Sequence, residues 1–471
     1  MSAVLYWLFV LFVVLAPLPL GANRPGVWAG FALVLGILLL GWSVAGRLSP
    51  HEPLSLHRLK LPLILFTGLT AWFFLQAAPW LPGAWHHPDW AAAAVALDRP
   101  LAGAISLSPE ATVDAAMRFL TYGGVFLLAC QLGRDRLRAK RFLWCLVLAG
   151  MLYAVYGLWS HLSGANLVLW YDRWAYQDSV TSTFINRNTF ATYAGLTLLV
   201  GIALLMQALI EAEYEANVRR DHGVAFLEQF AARGWLLMAA VMLIAGAILL
   251  SQSRAGFAAM AVGAMVLVAL RYLAGNASRG IALLVFGAVA VLLALAGQAT
   301  IARISDDAGN DLGWRLKLYG DVLEAIAAFP IFGTGLGTFE NAFRPFRSEA
   351  LISLSGIDKA HNTYLEFALE AGLPALLVVL VLFASLLWIC IRGLRRRQRD
   401  TVYPALAISA SALVATHALV DFSVQIPAVA ITYMAILGIG VAQSWSTRNG
   451  DETAPRARRL ARAGRHPRYQ H

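Results

Sequence analysis

The chain has 471 residues, of which 59% are hydrophobic and only 14% charged. Such a composition cannot coat soluble domains with polar surface, so a water-soluble protein is excluded. The net charge of +10, from 37 Lys and Arg against 27 Asp and Glu, is then a matter of membrane topology and lipid contact, and no nucleic-acid partner is expected.

Windows of about 18 to 22 nearly uncharged residues recur along the chain, each long enough to cross roughly 30 Å of hydrocarbon at about 1.5 Å per residue. Apolar runs bounded by charge and turn residues predict about twelve spans. They start near Ala3, Val27, Leu61, Val113, Phe142, Thr189, Trp235, Ala255, Gly280, Leu373, Val402 and Ala428. The expected fold class is an all-α integral membrane protein with about 12 transmembrane helices and one large, partly helical periplasmic loop. Residues 1–444 form the polytopic domain, 301–371 the loop between the ninth and tenth spans, and 445–471 a basic cytoplasmic tail. No Lys or Arg precedes Arg24, so the first span lacks the basic start of a secretory signal and reads as a retained helix. Cys130, Cys145 and Cys390 fall in or beside apolar spans, where neither a thiolate metal site nor a loop disulfide is expected.

With both termini in the cytoplasm, 25 of the 37 Lys and Arg lie on inside segments and 11 on outside ones. Six of those 11 sit in the long loop, which the positive-inside rule weights little. The Arg-rich tail reads as an anchor to anionic headgroups of the membrane lipids. Four stretches exceed what a bare bundle needs: 81–112, 161–188, 251–254 and about 301–371. All four are expected outside, which puts the chemistry at the outer edge of the bilayer. Inside the spans only Asp114, Arg118 and His417 are ionisable groups worth noting, whereas an ion-coupled transporter calls for midplane charges.

Within the long loop, Trp314 to Phe329 reads as a helix with Leu316, Tyr319, Leu323 and Ala327 on its packed face. Pro330, Gly333, Gly335 and Gly337 follow and read as a plain turn, because the Lys-Ser/Thr ending of a nucleotide loop is missing. In DKAHNTYLEFALEAGLPALL, Asp358 is the expected N-cap and His361 lies in the first turn. Glu366 and Glu370 fall off the apolar stripe, Gly372 ends the helix and Pro374 opens the next span. A histidine at a helix N-terminus tends to stay neutral and can accept a proton. Arg187, Arg254 and Arg315 stand at outer helix ends, where a guanidinium fork matches phosphate oxygens. A structural histidine and headgroup-snorkelling arginines are the bland alternatives.

Together these residues resemble the O-antigen ligase and O-antigen polymerase superfamily, which includes bacterial protein O-oligosaccharyltransferases. The resemblance spans roughly 180–440. It rests on Asn186-Arg187-Asn188 with Ala191, Ser253-Arg254-Ala255-Gly256, Pro330 with Gly333, Gly335 and Gly337, and His361-Asn362 followed by Gly372. The chain departs from it at Arg187, where many members have Pro, and at Ala375, where a second Gly is common.

The resemblance implies a membrane glycosyltransferase of the GT-C type in the bacterial inner membrane, its site facing the periplasm. Such an enzyme passes a glycan from undecaprenyl diphosphate to an acceptor hydroxyl with inversion. His361 would be the base and Arg254, Arg187 and Arg315 diphosphate ligands, supported by Asn186, Asn188, Ser253 and Asn362. The acceptor would be a glycan, a lipid A core or a protein hydroxyl. A ligase-like reading is preferred, with a polymerase or protein O-oligosaccharyltransferase as the enzymatic alternative and a polysaccharide or lipid transporter as the non-enzymatic one. No cofactor and no metal are expected: the acidic run Asp306, Asp307 and Asp311 sits among Gly, Ser and Asn, as a solvated turn does.

Overall fold

The structure, a computed structural model, describes residues 2–48, 56–165, 167–219, 234–274, 308–348, 356–397 and 399–445, with isolated positions 280, 283, 287 and 351. The described chain is almost wholly helical. Its helices are α1 (Ser2–Leu15), α2 (Pro25–Leu48), α3 (Lys60–Gln76), α4 (Asp89–Ala96), α5 (Pro109–Leu132), α6 (Arg136–Leu162), α7 (Arg187–Arg219), α8 (Trp235–Leu250), α9 (Arg254–Leu273), α10 (Ala308–Ala328), α11 (Phe339–Phe343), α12 (Thr363–Ala371), α13 (Leu373–Arg396), α14 (Val402–Ala418) and α15 (Pro427–Ala442). A small antiparallel hairpin, β1 (Leu167–Val168) and β2 (Tyr171–Asp172), pairs Val168 with Tyr171 and adds strand to the expected all-helical chain.

Eleven of the twelve expected spans coincide with described helices; the ninth, near Gly280, lies outside the described residues apart from three helical positions. Among the described residues, seven helices are long and apolar enough to cross a membrane. Four expected spans, α1, α8, α14 and α15, are apolar but shorter. At 16 residues, α15 extends about 24 Å, less than the hydrocarbon thickness. It can be short because it is a core helix, buried along almost its whole length and packed against α5 and α14.

Small residues let the central helices approach closely. A Cβ added at Gly440 would meet the Ala407 side chain at 2.2 Å, and one at Gly438 would meet the Phe126 carbonyl oxygen at 2.6 Å. In lipid, where burying apolar surface gives little driving force between helices, such close contact is what dispersion requires. The main core joins α1, α5 to α9, α14 and α15.

The bundle's two ends differ in chemistry. At one, Arg136 pairs with Asp400 at 2.6 Å, Arg134 reaches the carbonyls of Ala442 and Trp445 at 3.3 Å each, and Arg138 bonds the Ser2 hydroxyl at 3.0 Å. At the other end the extra stretches meet. Leu107 N–H donates to the Thr334 carbonyl, and His87 and Trp85 stack on Phe329 and Phe332. The Gln252 amide donates to the Asp178 carbonyl.

The loop helices form their own core, in which Leu318, Val322 and Ala325 of α10 pack with Phe339, Phe343, Ala360 and Leu369. The face expected to pack is the wrong one: Leu316 is 61% and Leu323 55% exposed. Two apolar stripes run along α10, and packing against α12 selects 318, 322 and 325. Asp306, Asp307 and the tail from 446 onward lie outside the described residues, as does the side chain of Asp311.

Candidate functional site

His361 lies two residues before its helix, immediately ahead of the N-cap, and not in the first turn that the sequence predicts. Asn362, not Asp358, is the N-cap: its Oδ1 accepts from the N–H groups of Tyr364 at 3.0 Å and Leu365 at 3.1 Å, satisfying two of the free donors that open α12. His361 therefore takes a left-handed φ of 49°, a conformation that costs a non-glycine residue roughly 1–2 kcal/mol.

Several contacts hold it there. The Tyr319 hydroxyl of α10 donates to the His361 carbonyl at 3.0 Å. The imidazole meets the rings of Trp314 and Phe422 edge-to-face at 5.5 and 5.4 Å. Just upstream, buried Glu366 accepts from the Ala360 N–H at 3.0 Å and from Lys359 Nζ at 2.9 Å. Lys359 Nζ also donates to Gln425 Oε1 at 2.8 Å. Burial would lower the Lys359 pKa, but the carboxylates of Glu366 and Glu370 outweigh it and hold the ammonium form.

Nδ1 of His361 is buried and has no protein partner. Burial pushes the imidazole below its ordinary pKa, assisted by the Arg315 charge and opposed by Asp421, Asp358 and Glu366. The sequence reading expected a neutral imidazole from the helix terminus; desolvation is the larger cause.

The motifs recognised separately in sequence join through one network. Asn186 Oδ1 accepts from the Asn188 N–H at 2.7 Å and so caps α7. Asn188 Oδ1 accepts from the Ser253 hydroxyl at 2.8 Å, while its Nδ2 donates to Asp421 Oδ2 at 2.9 Å. Ser253 caps α9 by accepting from the Gly256 N–H at 3.2 Å. Asp421 Oδ1 accepts from the backbone N–H of Ser423 at 2.8 Å and from its hydroxyl. The Asp421 carbonyl takes the Thr363 hydroxyl at 2.9 Å, which closes the circuit onto the residue two after His361.

The three arginines differ. Arg315 Nη1 donates to the Val420 carbonyl at 3.0 Å, next to Asp421. Arg187 stacks over Tyr176 at 5.3 Å and its Nε has no protein partner. Arg254 is exposed at the first position of α9.

The glycine run is a turn, as expected, and it fits against α12. Thr334 and Gly335 N–H groups donate to the carbonyls of Leu369 and Glu370 at 3.0 and 2.9 Å. Glu370 Oε1 accepts from the Phe339 N–H at 2.9 Å. Burial, reinforced by Glu366, pushes the Glu370 carboxyl up to about 7 despite the opposing charge of Lys359 and the N–H groups of Gly337 and Phe339.

Residues 239–380 match the family model described as O-antigen ligase. This match supports the resemblance to the O-antigen ligase superfamily over that segment. The ligase-like segment holds Ser253, Arg254, Arg315, the glycine run and His361. Asn188 and Asp421 lie outside it and are tied to it by the bonds above. No curated relative matches the chain.

Asp421 and His417 were missed as site residues. His417 of α14 is buried, with Nδ1 2.6 Å from the Thr192 hydroxyl and Nε2 without a protein partner. The available signal was their isolation: apart from tyrosines, they are the only ionisable residues between 402 and 445.

Proposed function

We propose that this protein is an inverting, lipid-diphosphate-dependent glycosyltransferase of the GT-C type, ligase-like in its reaction. It spans the bacterial inner membrane about twelve times, with the His361 end of the bundle facing the periplasm and the arginine-rich end facing the cytoplasm. The donor is a glycan on undecaprenyl diphosphate and the acceptor a hydroxyl of a lipid A core, a glycan or a protein.

The observation that carries the reading is the position of His361: desolvated, shifted toward its neutral form, and bonded through Thr363, Asp421 and Asn188 to the helix that Arg254 opens. Neutral imidazole takes the proton from the acceptor hydroxyl. The oxygen attacks the anomeric carbon as the bond to the diphosphate oxygen breaks, and the electron pair leaves on undecaprenyl diphosphate. One such displacement inverts the configuration. A positioned base contributes roughly 10²–10⁴ in rate. Arg187, Arg254 and Arg315 supply cationic forks for the charge that grows on the leaving group, so a metal is not required.

Transfer by the purified full chain in lipid nanodiscs tests this reading, with a radiolabelled undecaprenyl-diphosphate glycan and separate lipid, glycan and peptide acceptors. Label should move to one acceptor class and continue to move in excess EDTA. No transfer to any of them would refute the enzymatic reading, and loss in EDTA restored by Mg²⁺ would refute the arginine-only mechanism.

A further inference from the structure

The segment between α6 and α7 carries an aromatic surface that the site chemistry leaves unused. On α6, Leu152, Val155, Trp159 and Leu162 are exposed large apolar residues at helical spacing, the stripe that a membrane helix turns to lipid. This stripe does not stop where the helix stops. Trp170 is 75% exposed, and Tyr171 and Trp174 are exposed beside it.

The hairpin is preformed and pinned to the last turns of α6. The Leu169 N–H donates to the Tyr156 hydroxyl at 2.7 Å, and the Ser160 hydroxyl donates to the Leu167 carbonyl at 2.8 Å. The Tyr156 ring in turn packs against Trp159 of the lipid-facing stripe. Arg173, itself buried, donates to the carbonyls of Tyr176 and Ser179 at 3.2 and 2.5 Å and to the Ser160 hydroxyl at 3.4 Å. Val168 is buried beneath the tip, so the aromatic residues face outward on a fixed base.

Two guanidinium groups lie on this surface: Arg24 over Trp174 at 5.9 Å and Arg187 over Tyr176 at 5.3 Å. Large exposed indole rings next to cations suit the headgroup zone, where rings rest among carbonyl groups and guanidinium groups meet phosphates. A contiguous apolar patch of this kind left in water is unfavourable.

We infer that the aromatic hairpin at Leu167–Asp172, with Trp174, is a membrane-interface anchor that seats in the phospholipid headgroup layer as a continuation of the lipid-facing stripe of α6. The inference does not depend on which reaction the site performs. Its consequence is positional: Tyr176, held by Arg173, fixes Arg187 at the depth of lipid phosphates.

Nitroxide labels test it, placed in the full chain by Trp170→Cys and Trp174→Cys, with Glu340→Cys as a water-facing comparison and the unsubstituted protein treated alike. In nanodiscs of phosphatidylcholine and phosphatidylglycerol, labels at 170 and 174 should collide several-fold more with O₂ than with a soluble nickel chelate, and the label at 340 the reverse. Chelate-dominated behaviour at 170 and 174 would overturn the inference. Chelate access that a soluble glycan blocks would reassign the surface to sugar stacking and overturn it equally. Should the cysteine variants fail to fold, quenching of tryptophan fluorescence by brominated phospholipid decides: it should be weaker in the Trp170→Phe, Trp174→Phe variant, and equal quenching overturns the anchor.

Discussion

Asn188 and Asp421, 233 positions apart, are joined by a 2.9 Å hydrogen bond from amide to carboxylate. Each is also committed elsewhere: Asn188 to the Ser253 cap of α9, and Asp421 to Ser423 and, through its carbonyl, Thr363. The bond therefore couples the Arg187–Asn188 motif to the chain that positions His361. Removing Asn188 leaves the buried Asp421 carboxylate one partner short, which costs roughly 1–3 kcal/mol.

Asn188→Ala and Asp421→Asn should each depress transfer, and the double variant should be no worse than the poorer single one. A coupling energy of about 1 kcal/mol or more is the expected result of the cycle. Strict additivity in the transfer assay would break the proposed link.

His361→Ala should remain folded while transfer falls by roughly 10²–10⁴. The acid limb of kcat/KM should lie below the ordinary imidazole value of about 6.5, because burial and Arg315 both favour the neutral ring. Replacing Arg315 by Gln removes a positive charge that lowers the pKa, so the limb should move to higher pH. Asp421→Asn removes a negative charge that raises it, so the limb should move to lower pH. Opposite displacements are the signature; a limb unmoved by either variant would mean that another group is the base.

How much of this was legible beforehand differs by level. Eleven helices follow from apolar runs, seven of them long and apolar enough to cross a membrane, because in lipid the composition of a helix and its location are nearly the same fact. Asn186, Asn188, Ser253 and Asn362 were legible as motif residues, and the structure gives them work as caps and bridges. Asp421 was not, since a lone acid after a span has no local pattern and its partners arrive from residues 188 and 363. The packed face of α10 was misread for a related reason: Leu316 and Leu318 are equally apolar, and only the surface of α12 distinguishes them. Glu366 and Glu370 looked like a polar face, yet both are buried, held by Lys359, the Ala360 N–H and the Phe339 N–H.

Gly372 joins α12 to α13 at φ 88°, and a Cβ there would lie 2.1 Å from the Ile331 carbonyl oxygen. Left-handed strain and overlap with backbone act together, so Gly372→Ala should destabilise the fold by on the order of 3–5 kcal/mol. Gly320, inside α10, meets nothing within 4 Å. Gly320→Ala should be neutral or stabilising by about 0.5–1 kcal/mol through backbone entropy. Thermal unfolding in detergent compares the two, and similar melting temperatures would contradict the turn geometry.

Glu370 makes the loop's stability depend on pH in a direction that can be fixed in advance. Its carboxyl is pushed up to about 7 from an ordinary 4.5, so the folded state binds that proton more tightly than the unfolded state does. Its contribution is fully present below about 4.5 and is lost as the pH rises through about 7. Glu370→Gln keeps an oxygen that can accept the Phe339 N–H but carries no charge to desolvate. The variant should match the wild type in stability near pH 5 and exceed it at pH 8 by on the order of 1–3 kcal/mol. Unfolding measured at both pH values checks this. A constant difference between the two proteins would show that Glu370 does not titrate in this range, and a deficit of the variant that widens at pH 8 would show that the carboxylate is the stabilising form.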